Sequence, residues 1–321
     1  MLKLRGDLFD ESQSTQMRPI DEVRQLLREL VGGPDTPFMI RRAQAERFAA
    51  AFQVPDDVAY KAEKYGNGAV EWVQAQDGSK SCVLLHFHGG GYVLGNPAGS
   101  RVFTTEFARS SGAAVASAEY RLAPEHPYPA AVEDALSAYR WLLESGVAPG
   151  AMAVAGESAG GGLALALLVA ARDGGLPMPA CAVLISPWLD LSCSAASFET
   201  KASVDPLLTR QSLGEMAEAY LQGADPRLPY ASPLFANLAG LPPLLIQVGS
   251  DEVLLDDSLE LERRACAQGV KVHLRVWPEM IHVWPMFHPS LPEATRAIAE
   301  AVAFTQDAWT PSGEANTALH T

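Results

Sequence analysis

Gly156-Glu157-Ser158-Ala159-Gly160 sets one serine between two glycines. A serine hydroxyl becomes a useful nucleophile only when a neighbouring base takes its proton. The pentapeptide follows an apolar run at 151–155 and opens an apolar stretch through residue 171. Strand, sharp turn, helix is the setting in which such a serine is presented to a substrate. The turn is strained, and side chains at Gly156 or Gly160 would collide with neighbouring backbone. It also puts Ser158 at a helix N-terminus, which favours developing negative charge. The chemistry suggested is attack on an ester or lactone carbonyl. Alone the motif is weak, because a serine in a strand-to-helix loop can simply cap the helix.

A second constellation supports it. His86-Phe87-His88-Gly89-Gly90-Gly91-Tyr92 ends another apolar run. Attack on a carbonyl creates an oxyanion that needs pre-aimed N–H donors. Gly90 and Gly91, with the amide of Ala159, are the expected donors; Gly89 is the fallback. His86 and His88 also share one side of a strand, as two metal ligands could. No cysteine, histidine or Asp-His cluster follows to complete a site, so no metal and no cofactor is expected.

Ser158 then needs a base. His273 shares the polar face of Val270-Lys271-Val272-His273-Leu274-Arg275-Val276, and His320 lies in the tail. His282 lies just beyond that strand's end, where α/β sites form, and is the expected base. Its orienting acid should follow a strand and precede it in the chain. Pro243-Leu244-Leu245-Ile246-Gln247-Val248-Gly249-Ser250-Asp251 offers Asp251, with Glu252, Asp256 and Asp257 as competitors. The last two read as acids in the first turn of a helix.

Strands at the carboxyl edge of a sheet must carry these groups. Apolar runs at 83–87, 113–118, 151–155, 180–185, 243–248 and 270–276 alternate with helical stretches. That pattern predicts a mostly parallel sheet with helices on both faces. Upstream, Gly66-Asn67-Gly68 separates two short strands in a hairpin. Five segments follow: N-terminal cap helices over 1–52, a first part of the core over 53–188, a cap insertion over 189–235, the rest of the core over 236–308, and a frayed tail over 309–321. Tyr92, Trp188, Leu207, Leu208, Val283 and Trp284 are candidates to line a substrate pocket, as are Met216, Tyr220 and Leu221 of the insertion.

The 321 residues carry a formal charge of -14 and are 48% hydrophobic. A large core is available, while nucleic acid and anionic membrane surfaces are disfavoured partners. No apolar run reaches the length of about 18 residues that spans a bilayer. Asp7, Asp10 and Glu11 stand where a signal peptide is apolar, so a cytoplasmic location is expected. The four cysteines form no C-x-x-C pair and read as free thiols.

Taken together, His88-Gly89-Gly90-Gly91-Tyr92, Glu119-Tyr120-Arg121-Leu122-Ala123-Pro124-Glu125, Gly156-Glu157-Ser158-Ala159-Gly160, Ser186-Pro187-Trp188 and Gly249-Ser250-Asp251 resemble the hormone-sensitive-lipase-like α/β-hydrolases over roughly residues 55 to 305. The resemblance implies an eight-stranded α/β-hydrolase sheet, a helical cap, carboxylesterase activity on small hydrophobic, short-acyl esters, and pairing into a homodimer through the last strand. Met280-Ile281-His282-Val283-Trp284-Pro285 is similar to the branch holding monoterpene-lactone hydrolases, so lactone opening is the alternative. One plant hormone receptor resembles this scaffold without catalysing, but it would be expected to lose a triad member. The chain departs from the family at Glu157, where a large subgroup has Asp, and after His282, where Val283-Trp284 replaces Gly-Phe.

Overall fold

The computed structural model describes residues 18–30, 36–51, 53 and 55–309. The acidic start, the Gly32-Gly33-Pro34 break and the tail from Thr310 lie outside the described residues. Eight strands form one sheet: β1 (Val58–Tyr65), β2 (Gly68–Ala75), β3 (Ser79–Phe87), β4 (Ala113–Glu119), β5 (Met152–Glu157), β6 (Cys181–Ile185), β7 (Leu244–Gly249) and β8 (Val272–Trp277). Their order is β1-β2-β4-β3-β5-β6-β7-β8. β1, β2 and β4 pair antiparallel; every pairing from β4 through β3 to β8 is parallel.

Nine α-helices accompany the strands among the described residues: α1 (Pro19–Leu30), α2 (Phe38–Ala51), α3 (Arg101–Ser111), α4 (Ala130–Glu144), α5 (Ala159–Asp173), α6 (Ser197–Thr200), α7 (Arg210–Leu221), α8 (Leu255–Ala267) and α9 (Pro292–Ala308). Successive side chains of a strand point to opposite faces. Val83, Leu85 and Phe87 of β3 therefore join the core under α4, α5 and α8, while Leu84 joins the one under α3 and α9. Every residue of β5, β6 and β7 is buried, because helices cover both faces. β8, at the edge, alternates half-buried and exposed residues from Val272 to Arg275, with His273 on its exposed side, and Val276 after them is also exposed. No helix among the described residues is long and apolar enough to cross a membrane.

The segment leaving β6 is held from below. Asp257 of α8 is buried, and its Oδ2 accepts the amides of Leu189 at 2.8 Å and Asp190 at 3.1 Å. Its Oδ1 has no partner among the described residues, and burial pushes its pKa up to about 7. A folded-state pKa above the unfolded value of 3.8 makes the protonated form the one that suits the fold. Stability should thus fall between the two pKa values, by up to about 1.4 kcal/mol per pH unit from this group. Asp257→Asn removes the titration. Its melting temperature relative to wild type is expected to rise from pH 5 to pH 8; a pH-independent difference would contradict this.

Candidate active site

β5 ends in a turn that the chain adopts only under strain. Ser158 has φ +55° and ψ −124°, and α5 begins at the next residue. The glycines around it permit close approach. A Cβ on Gly156 would sit 2.2 Å from the Gly160 carbonyl oxygen, and one on Gly160 would sit 2.1 Å from that of Phe87. Real Cβ atoms do not make such contacts, so both glycines let β5, α5 and the end of β3 close up. Ser158 donates its amide to Ile185 O and its carbonyl accepts from Trp188, which ties the turn to β6.

The glycine loop runs alongside. Glu157, buried beside Ser158, accepts from the Gly89 amide at 2.9 Å and from Ser100 Oγ at 2.5 Å, while its other oxygen meets His86 Nε2 at 2.7 Å. Burial alone would raise this carboxyl. The charge and hydrogen bond of His86, with those of Ser100 and Gly89, outweigh it and hold the pKa below the usual carboxylate range. The extra methylene of Glu over Asp spans from β5 to the loop after β3. Gly89 is thereby corrected as the fallback donor: its N–H is already spent on Glu157. The Gly90, Gly91 and Ala159 amides have no protein partner among the described residues. Gly90 and Gly91 have φ of +117° and +62°, a region open to glycine at little cost.

The two loop histidines are otherwise engaged. His86 sits between Glu157 and Ser117 Oγ. His88 stacks on Tyr120 and donates from Nδ1 to Gly89 O; burial lowers its pKa to about 4. No group of three potential metal-binding side chains forms among the described residues.

His282 lies in the loop after β8, 4% exposed. Its Nε2 is 2.9 Å from Ser158 Oγ and its Nδ1 is 2.8 Å from Glu252 Oε2. Glu252, fully buried, uses its second oxygen to accept from Ser186 Oγ at 2.8 Å and the Gly249 amide at 2.5 Å. Ser186 in turn accepts the Val283 amide, one residue past His282. Gly249 lets the loop that carries His282 approach: a Cβ there would lie 2.2 Å from Met280 O.

The expected acid is thus corrected. Asp251 does not touch His282; its carboxylate pairs with Arg24 of α1 at 2.6 Å. The loop after β7 turns between the two residues, and it is the second acid that is carried inward. Asp256 and Asp257 sit in the first turn of α8, as expected, where Asp256 accepts from Ser197.

The family called alpha/beta hydrolase fold matches residues 84–286. An acetyl-hydrolase of Streptomyces hygroscopicus is 51% identical over 269 residues, covering 83% of this chain and 87% of the relative. The chain belongs to the alpha/beta hydrolase fold family. An esterase of Acinetobacter venetianus is 38% identical, over 73% of this chain and 77% of the relative. An esterase of the bacterial hormone-sensitive lipase family superposes with TM-score 0.89 at 41% identity, covering 92% of this chain and all of that one. An esterase/lipase from an uncultured bacterium gives 0.87 at 48%, over 91% and 99%.

Within this family fold, α7 lies over the glycine loop. α7 starts at a reciprocal cap between Thr209 and Ser212. Tyr220 stacks on Tyr92 with ring centroids 4.1 Å apart. Met216 rests against Gly91, where a Cβ would come within 2.2 Å of its sulfur. Leu207 and Leu208 precede α7, with their amides held by Asp205. Val283 takes φ +52° beside His282 and is half-buried. Four pocket candidates are corrected. Tyr92 and Tyr220, each 1% exposed, stack on one another within the main core. Trp284 is fully buried among Ile20, Val23, Leu27 and Leu291, because the large ring fills the space between α1 and α9. Trp188 is fully buried in the main core, with Nε1 donating to Asp190 O.

Proposed function

We propose that this chain is a serine carboxylesterase of small, hydrophobic, short-acyl esters. The supporting observation is His282 standing between Ser158 Oγ and the buried Glu252. In this reading His282 takes the Ser158 proton as Oγ attacks the carbonyl carbon, and Glu252 stabilises the imidazolium that forms. The Gly90, Gly91 and Ala159 amides receive the oxyanion. Collapse of the tetrahedral intermediate breaks the carbon–alkoxy bond, with His282 returning the proton to the leaving alcohol. Water, deprotonated by His282, then releases the acid from the acyl-enzyme.

Short acyl groups are favoured by the cap. Ser158 is only 7% exposed, and Met216 lies on Gly91 beside the proposed donors. The names acetyl-hydrolase and esterase borne by the relatives support the same substrate class. Para-nitrophenyl esters of increasing acyl length test this. kcat/KM is expected to be highest for acetate to butyrate and to fall at least about tenfold by decanoate, a loss of roughly 1.4 kcal/mol of transition-state binding. A maximum at long chains would overturn the short-acyl reading.

A further inference from the structure

The displaced Asp251 points to a feature outside the triad. Its partner Arg24, on α1, has a side chain only 13% exposed. The guanidinium touches three segments far apart in the chain. Nη1 donates to Val204 O at 3.0 Å, and Nη2 donates to Asp251 Oδ2 at 2.6 Å and to Glu279 O at 2.8 Å.

Each contact adjoins a group of the site. Asp251 is the residue before Glu252. Glu279 is three residues before His282. Val204 precedes Asp205, whose carboxylate accepts the Val253 amide, just past Glu252, at 2.9 Å. The acid and base loops are also joined directly, by Asp251 N to Met280 O at 3.0 Å. A planar fork with five donors can serve two carbonyls and a carboxylate together, which an ammonium on a flexible stem cannot do in the same geometry. The neighbouring Arg18, which also reaches Glu279, is 58% exposed and grips only the surface.

Building on the Ser158–His282–Glu252 reading, we infer that Arg24 is a positioning residue for catalysis. It locks the acid loop and the base loop against the cap, so that Glu252 and His282 stay in register with Ser158. Asp251 serves the same reaction indirectly, by holding Arg24.

The test compares Arg24→Ala, Arg24→Lys, Asp251→Asn and the Arg24→Ala/Asp251→Asn double variant, on para-nitrophenyl butyrate. Rates are normalised to sites titrated with a fluorophosphonate, so that a poorly folding variant loses sites rather than kcat. Misplacing a base by about 1 Å costs on the order of a hundredfold, so Arg24→Ala should lose about 10- to 100-fold in kcat per site. KM should change less than about threefold, since binding is not what Arg24 supplies. Arg24→Lys should recover part of the loss, and the double variant should be no worse than Arg24→Ala, because both changes break one linkage. A kcat per site for Arg24→Ala within about twofold of wild type overturns the proposal, as do losses that simply multiply. An active wild type with an unaffected Arg24→Ala rejects the positioning role alone; a wild type that hydrolyses no ester rejects the triad reading beneath it.

Discussion

Glu252→Gln is expected to lower kcat about 10³- to 10⁴-fold, while Asp251→Asn stays within about tenfold of wild type. The two acids are adjacent in sequence, yet their surroundings differ. Glu252 accepts from His282 Nδ1, Ser186 Oγ and the Gly249 amide, so its carboxylate meets donors on both oxygens. An amide of the same size must turn its NH₂ toward one of those donors. If it faces His282, the ring loses its orientation; if it faces Ser186 and Gly249, two buried donors go unpaired. In either case no negative charge remains to stabilise the imidazolium. Asp251→Asn keeps an oxygen for Arg24 and leaves Glu252 in place. Steady-state kinetics on one short-chain ester decide the matter. Equal losses in both variants, or a larger loss at Asp251, would return the acid's role to Asp251.

Ser158→Ala should remove turnover almost entirely, by about a millionfold in kcat, since members of a triad act as a unit. The Ala159, Gly90 and Gly91 amides would persist, so a trace of hydrolysis above the uncatalysed rate is compatible with the mechanism. Alanine adds no bulk at a position already holding φ +55°, so the turn should survive the change. Circular dichroism and melting temperature near wild type would locate the loss in chemistry. Loss of fold would make the rate uninformative, and Ser158→Cys then serves as the second variant: it keeps a nucleophile of similar shape and should retain labelling by a thiol-directed reagent.

Much of the core was legible because its signals are periodic. The continuous apolar runs of β5, β6 and β7 could only be strands buried on both faces, and the alternation in β8 marked His273 as outward-facing. Gly156 and Gly160 were readable because backbone contact leaves a compositional trace. Helix α3 was not: Arg101–Ser111 is rich in Thr and Ser, and it forms because Phe103 and Phe107 bury against the sheet. α9 was marked only by a helix start near Pro289, since its Ala-rich face gives little contrast along its length.

The site divided along the same line. Ser158 and His282 lie where strand ends place them, and the structure brings their side chains together. Asp251 and Glu252 share a strand end, a charge and a neighbourhood, so position could not choose between them. The choice rests on the turn after Gly249 and on Arg24, some 227 residues away, drawing Asp251 outward. Trp284 looked like a pocket wall because it follows the base. Its burial against Ile20 and Val23 depends on where α1 packs, which no local pattern records. Glu157 stands out in the sequence as a departure, but its partners, His86, Gly89 and Ser100, come from elsewhere in the chain.

The proposed mechanism makes Ser158 a nucleophile activated by His282 and Glu252. Labelling with a fluorophosphonate, followed by peptide mapping, reads that reactivity on the residue itself. A single adduct on Ser158 is expected, forming at least about a hundredfold more slowly in Glu252→Gln. An adduct on another residue, no adduct at all, or equal labelling rates in the two proteins would rule out the Ser158–His282–Glu252 mechanism.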